Sequence, residues 1–296
     1  MTEYAPLIDT HIHMWDLTDP TLQYDFLNPE MYHPLMTPEE QKRIGIPING
    51  ADQIRAVTQS AGVTSTVHVQ CAVGIDDPVK ETRWLEQNRL AGEHPTSIVG
   101  HVDLAREDAG EQLDRHLAES NVFVGIRDFG HGVEYLNDPA WRKGIAALEA
   151  RDLLCCLDLS VDRYRLAREL TDAFPDCVFV VDHMGMSMRR DEEYFEEWLR
   201  ELRVFTDAPN VYCKISEQTL VLRSWDPDNA LKWMSGCLEV FGPYRCFFGS
   251  NWPPDSLHAS YLELTNSYRS MTAQLSTDEE NAMNVETAAR VFSITR

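Results

Sequence analysis

The sequence predicts an α/β chain folded as a distorted (β/α)8 TIM barrel with a long ordered loop after its first strand. Three observations carry that expectation: eight short apolar runs spread over the whole chain, helix-like stretches between them, and histidines where two of the runs end. The runs occupy residues 7–13, 63–70, 97–104, 122–129, 153–160, 177–185, 210–216 and 246–253. Several, such as TSTVHVQ, VFVGIRDF and CVFVVDHMG, are nearly continuous in apolar and β-branched residues, as parallel strands covered on both faces are. Strands alternating with helices join through right-handed crossovers into a parallel sheet, and eight such units close a barrel. The rival open, doubly wound sheet would carry a GxGxxG turn after its first strand, and none follows residues 7–13. A length of 296 residues suits one barrel domain spanning 1–296.

The connections follow the same logic. Residues 14–50 form too long a link to the first good helix, and they are rich in Trp, Tyr, Phe, Pro and Met. Such a loop is usually functional or disordered, and this composition argues for an ordered flap over the C-terminal mouth of the barrel. After Ser160, residues Leu166, Leu170, Ala173 and Phe174 recur at helical spacing. Near the C-terminus, Ser276 and Thr277 precede Glu279 and Glu280, offering two overlapping capping boxes for a helix with Ala282, Val285, Ala289 and Phe292 on one stripe.

Charge narrows the partners. Against 48 acidic residues stand 26 Lys and Arg, a net charge of −22, which repels nucleic acid phosphates and anionic membranes. A small-molecule substrate is the expected partner, and a homo-oligomer stays open. The seven cysteines are an odd number without a CxxC pair, the usage of buried free thiols in a reducing compartment. With no leader-like or 18-residue apolar stretch, a cytoplasmic location is expected.

Chemistry concentrates at three run ends. In Asp9-Thr10-His11-Ile12-His13, alternation sends Asp9, His11 and His13 to one face, and barrel active sites form at C-terminal strand ends. In Asp182-His183-Met184-Gly185 the same alternation lets only one of the first two residues face inward, and His183 is the choice. Gly249-Ser250-Asn251-Trp252-Pro253 ends the last run, with Asp255 four residues beyond Asn251. Arg127 ends the fourth run, and an interior Arg is costly unless it holds an anion. His68 and Gln70 share a face of the second run, Lys214 sits in the seventh, and Trp15, Tyr24 and Trp252 could form an aromatic wall.

These segments, in this order, resemble the amidohydrolase superfamily, and within it the amidohydrolase-2 branch typified by 2-pyrone-4,6-dicarboxylate lactonase and the L-fuconolactonase type of sugar lactonase. The resemblance covers nearly the whole chain through DTHIHMWD, VHVQ, GIRDF, VVDHMG and FGSNWP. One departure stands out: where the family's last strand ends in Ser-Asp-Trp-Pro, its Asp serving as metal ligand or base, this chain has Asn251. The lysine bridge and the extra histidine of binuclear members are also missing.

The resemblance implies a hydrolase that opens a small carboxylated or hydroxylated lactone by water attack. Its catalytic residues would be His11, His13, His183, Asn251 and Asp255, with His183 or Asp255 as base ahead of Asp9. Arg127, His68, Gln70, Lys214 and Trp252 would bind substrate. His11, His13 and His183 would hold one divalent ion, Zn or Mn, if a metal is bound. A metal-free site is equally open, and no organic cofactor is expected. The alternatives are a non-oxidative decarboxylase of an aromatic or unsaturated acid and a catalytically degenerate, ligand-binding barrel.

Overall fold

A computed structural model describes residues 4–72, 76–128 and 135–295. Eight parallel strands run in strict chain order around one sheet. They are β1 (Leu7–Ile12), β2 (Val63–Val69), β3 (Ser97–Gly100), β4 (Phe123–Arg127), β5 (Leu154–Leu157), β6 (Phe179–Val181), β7 (Val211–Ile215) and β8 (Cys246–Phe248). The ring closes lightly between β8 and β1, through a bridge pairing Ile12 with Trp252 and a 2.8 Å bond from the His13 amide to the Trp252 carbonyl. This is a (β/α)8 barrel, distorted at that seam.

Two apolar layers follow from strand alternation. Val67, Val69, Val99, Leu154, Cys156, Val180 and Phe247 fill the barrel, while Ile98, Cys155, Leu157, Phe179, Val181 and Cys213 pack outward against the helices. Phe292 enters the floor from the C-terminal segment, its ring 5.3 Å from that of Phe247. That segment differs from the single helix expected. Ser276 and Glu279 form one capping box, and the helix Thr277–Asn281 then runs through a π turn at Ala282–Glu286 before Thr287–Val291. Only one residue can be the N-cap, and Ser276 takes the place.

Every strand stops short of, or at, the bounds its apolar run suggests. The run 177–185 yields only Phe179–Val181, and Phe129, the last residue of the run 122–129, lies outside the described residues. The physical reason is the backbone: His183, Glu217 and Asn251 all have φ between 52° and 55°, a left-handed conformation uncommon in non-glycine residues and concentrated at functional sites.

Residues 14–50 fold over the strand ends. Trp15 and Asp16 pair antiparallel with Asn49 and Ile48, closing the segment at its base. Trp15, Leu22, Tyr24, Leu27, Met36 and Ile44 bury themselves against Cys71, Ala72, Leu220 and Leu257 of the barrel loops. The helix Pro38–Ile44, opened by a Thr37–Glu40 capping box, is tied down where Arg43 donates 2.6 Å to the Leu257 carbonyl. No helix among the described residues is long and apolar enough to cross a membrane.

Candidate active site

The end of β1 supplies two imidazoles in contact: His11 Nε2 lies 3.2 Å from His13 Nε2. His13 Nδ1 sits 2.9 Å from the Val69 carbonyl. A carbonyl only accepts, so Nδ1 carries the proton and Nε2 of the neutral ring is a lone pair. Gly249 makes room for this arrangement, since a Cβ there would come within 2.8 Å of the His11 Cβ. Asp9 does not share the face of the histidines. Its carboxylate turns toward the helices, accepting from Tyr261 Oη at 2.8 Å and the Ser250 amide at 2.9 Å. The register of β1 shifts between Asp9 and Ile12, and that irregularity breaks the alternation on which the expectation rested.

At the end of β6, both Asp182 and His183 face inward. Asp182, still extended, pairs with Lys214 Nζ at 2.8 Å and Arg127 Nη1 at 3.7 Å, and its Oδ2 is 3.9 Å from His11 Nδ1. His183 reaches the same space because its left-handed turn swings it back, its ring centroid 4.4 Å from that of His11. The simple either-or of strand alternation therefore fails here. His183 Nδ1 bonds Ser216 Oγ at 2.9 Å, and its Nε2 lies 3.7 Å from Glu217 Oε2.

These groups border a cavity of about 230 Å³ at the C-terminal mouth. The strand ends contribute His13, Gln70, Arg127, Asp158, His183, Glu217 and Asn251, and the loop over them contributes Phe26, His33, Leu35 and Met36. His11 lies one layer deeper, fully buried beneath His13 and His183. Burial, with the charges of Lys214 or Arg127 adding to it, holds all three imidazoles well below their ordinary pKa, so they are neutral. Burial has the opposite effect on the carboxyls: it raises Asp158 to about 6, and it raises Glu217 well above the ordinary range with the help of Asp255 and Asp158.

Four expected residues sit elsewhere. Asp255 is buried behind the wall, fixed by Thr219 Oγ1 at 2.8 Å and the Gln218 amide at 3.0 Å. His68 turns away, accepting from the Met14 amide and facing Glu81 Oε1 at 3.3 Å. Lys214 lies under the site against Asp182, and Trp252 packs on Tyr261 at the barrel seam, 5.2 Å between rings. Trp15 and Tyr24 form the loop's own core, leaving Phe26 as the cavity aromatic. Conversely, the sequence analysis did not single out Glu217, His33 or Asp158 as cavity residues. The signal for Glu217 was its place just past a barrel strand, where polar side chains meet substrate.

A family model described as Amidohydrolase (Amidohydro_2) matches residues 8–294. The chain belongs to that amidohydrolase family. A protein from Sinorhizobium fredii, y4mH, is 29% identical over 305 residues, covering 97% of this chain and 98% of its own length. L-fucono-1,5-lactonase from Burkholderia multivorans is 27% identical over 267 residues, covering 82% and 85%. Among solved structures, a zinc-bound amidohydrolase from Burkholderia multivorans superposes with a TM-score of 0.82 at 21% identity over 98% of this chain and all of its own. A 2,6-dihydroxybenzoate decarboxylase superposes with 0.64 at 12% over 98% and 100%. At these identities the superpositions speak to the barrel alone.

Within an amidohydrolase the donor set invites a test for a metal. Two nitrogens on one tetrahedral zinc, each about 2.05 Å from it, lie about 3.3 Å apart, and the His11–His13 pair is spaced at 3.2 Å. His13 presents a lone pair, its outer nitrogen fixed by a carbonyl in the way metal-bound histidines usually are. Asp182 Oδ1 is paired with Lys214 at 2.8 Å, whereas His11 Nδ1 and Asp182 Oδ2 are buried without hydrogen bonds, and ligand atoms of His11, Asp182 and His183 lie within 4.8 Å of one another. These residues fit one divalent ion.

Proposed function

We propose that this amidohydrolase opens a small carboxylated or hydroxylated lactone by attack of water on its ring carbonyl. The observation that carries the reading is the meeting of three neutral imidazoles, His11, His13 and His183, at a small cavity that also holds one buried guanidinium, Arg127. The similarity to L-fucono-1,5-lactonase supports the lactone as the substrate class.

Each group has a task that its surroundings support. His183 is uncharged and lines the cavity, so it can take the proton of the attacking water. Glu217, 3.7 Å from its Nε2, is the acid nearest the imidazolium that results, although burial raises its own pKa well above the ordinary range. The Arg127 side chain, 6% exposed and already braced by the Gln70 carbonyl at 2.9 Å, holds a carboxylate or hydroxyl of the substrate. Asn251 offers an amide donor to the carbonyl oxygen or the water. His13 has no ring proton to give a carbonyl oxygen in its neutral tautomer, which favours an ion-holding role for the His11–His13 pair over direct contact. His11 and His13, with Asp182, would hold that ion, Zn or Mn, leaving the His183 lone pair for the water's proton. When bound, it supplies Lewis acidity to the ester carbonyl.

The test is turnover of a panel of five- and six-membered lactones by wild type, His183→Asn and Arg127→Met. Loss of the base should lower kcat by about 10²–10⁴-fold, and loss of the guanidinium should mainly raise KM. Wild-type turnover by both variants, or no lactone hydrolysed by the wild type, sinks the reading.

A further inference from the structure

The loop over the site gives the cavity wall His33, Pro34, Leu35 and Met36, and His33 is the polar one among them. Its ring is set by its own chain: Nδ1 accepts from the backbone amides of Leu35 and Met36, each at 3.1 Å. An amide nitrogen only donates, so Nδ1 holds the lone pair and the one proton of the neutral ring sits on Nε2. Charging the ring would place a second N–H against both amides, and burial also lowers its pKa. Among the described residues nothing in the protein accepts from Nε2.

The segment is held in place on its far side. Arg223 donates through Nη1 to the Leu35 carbonyl at 3.2 Å and through Nη2 to Glu40 Oε1 at 2.6 Å. His33, half-buried, with its proton fixed on Nε2 and no protein acceptor for it among the described residues, therefore stands in the wall contributed by the loop, whereas the imidazoles, Arg127 and Asn251 come from the strand ends.

We propose that His33 is a specificity-determining residue. Its Nε2–H donates to an oxygen on the part of the substrate remote from the bond that breaks, selecting a hydroxyl- or carboxylate-bearing ring over one with bare alkyl there. This rests on the lactone reading above. A contact made equally in ground and transition state lowers KM without changing kcat, which separates His33 from the groups that handle the reacting atoms.

His33→Asn is the informative variant, because an Asn oxygen can accept from the same amides while the distal donor is gone. On hydroxylated lactones, KM should rise about three- to tenfold, the worth of one neutral hydrogen bond, with kcat changed less than about twofold. On a matched lactone lacking that hydroxyl, wild type and variant should coincide. An unchanged KM on every hydroxylated lactone, or a fall in kcat at constant KM, overturns the proposal. A second measurement needs no turnover: ring ¹⁵N NMR of the wild type should show His33 protonated at Nε2 and bare at Nδ1 at neutral pH, and the opposite tautomer or an imidazolium overturns it too. If the wild type opens no lactone, the lactone reading falls, and the nitrogen spectrum still decides the donor.

Discussion

Two buried clusters in this barrel are built from the same kinds of residue and differ in where their imidazole protons sit. Beside the site, with Cys71 reaching the cavity, His68, Cys71 and Glu81 come together with ligand atoms within 4.8 Å, as His11, Asp182 and His183 do in the site. Glu81 Oε1 already accepts from the amides of Cys71 at 3.0 Å and Ala72 at 2.8 Å. His68 Nδ1 accepts from the Met14 amide, so its proton is on Nε2, aimed at Glu81 rather than bare for a metal. With its imidazole proton turned inward that cluster is closed at His68 and pins the loop after β2, although His68 Nε2 and Glu81 Oε2 make no hydrogen bond. In the site, by contrast, His13 and His183 border the cavity, and the His13 proton on Nδ1 leaves its Nε2 bare beside His11. Ligand types and spacing do not separate the two; the count of protons and acceptors does.

The contrast breaks most sharply if the two clusters trade roles under mutation. His13→Asn removes a side chain from the open cluster, and lactone turnover should fall by about 10³-fold, the scale of one lost group that stabilises the reacting carbonyl. Its melting temperature should stay within about 2 °C of wild type, as befits a residue facing a cavity. A variant that keeps its turnover, or that unfolds, would erase the distinction.

For the closed cluster the expected loss is in stability. Burial alone would raise the Glu81 carboxyl, but His68 and the two amides hold it down to about 2 against an ordinary 4.5. A folded pKa below the unfolded one contributes stability above the unfolded pKa and loses it as pH falls toward the folded value. Glu81→Gln should therefore cost about 3 kcal/mol at pH 7. The gap should narrow below about pH 4.5 and close near pH 2, with kcat unchanged. Urea unfolding at several pH values checks it, and a gap independent of pH counts against the arrangement.

How much of this could be seen in the sequence follows from where the backbone is regular. All eight strands were legible, because a buried parallel strand leaves an apolar, β-branched run whatever surrounds it. The histidines were legible as types at strand ends. Their directions were less so: alternation holds only while the chain stays extended, and His183, Glu217 and Asn251 lie two or three residues past the ends of their strands, in left-handed turns. Asp9 and Asp182 were misread for the same reason, one through a register shift in β1 and the other because its neighbour turns back beside it. His33 had no local signal at all. Its role depends on two amides two and three residues on, and on a loop folded over a barrel whose other wall is hundreds of residues away in sequence.

The smallest expected effect concerns Asn251, the position where this chain parts from its family's pattern. An amide oxygen is a weaker ligand than a carboxylate, so Asn251→Asp should tighten zinc by about tenfold, the low end of what one well-placed group near a metal contributes. The gain is limited because the new carboxylate would enter a cavity that already holds Asp158 and Glu217, and like charges disfavour each other's ionised forms. Without metal the variant should melt slightly below wild type, and with zinc above it, so the two melting curves cross as the ion is added. Zinc stabilisation should vanish in His11→Asn and persist in Cys71→Ser, since His68 carries its proton on the nitrogen that faces Glu81. Equal zinc midpoints for Asn251→Asp and wild type would mean that residue 251 faces the substrate rather than the ion. Loss of the effect in Cys71→Ser would move the ion to the closed cluster.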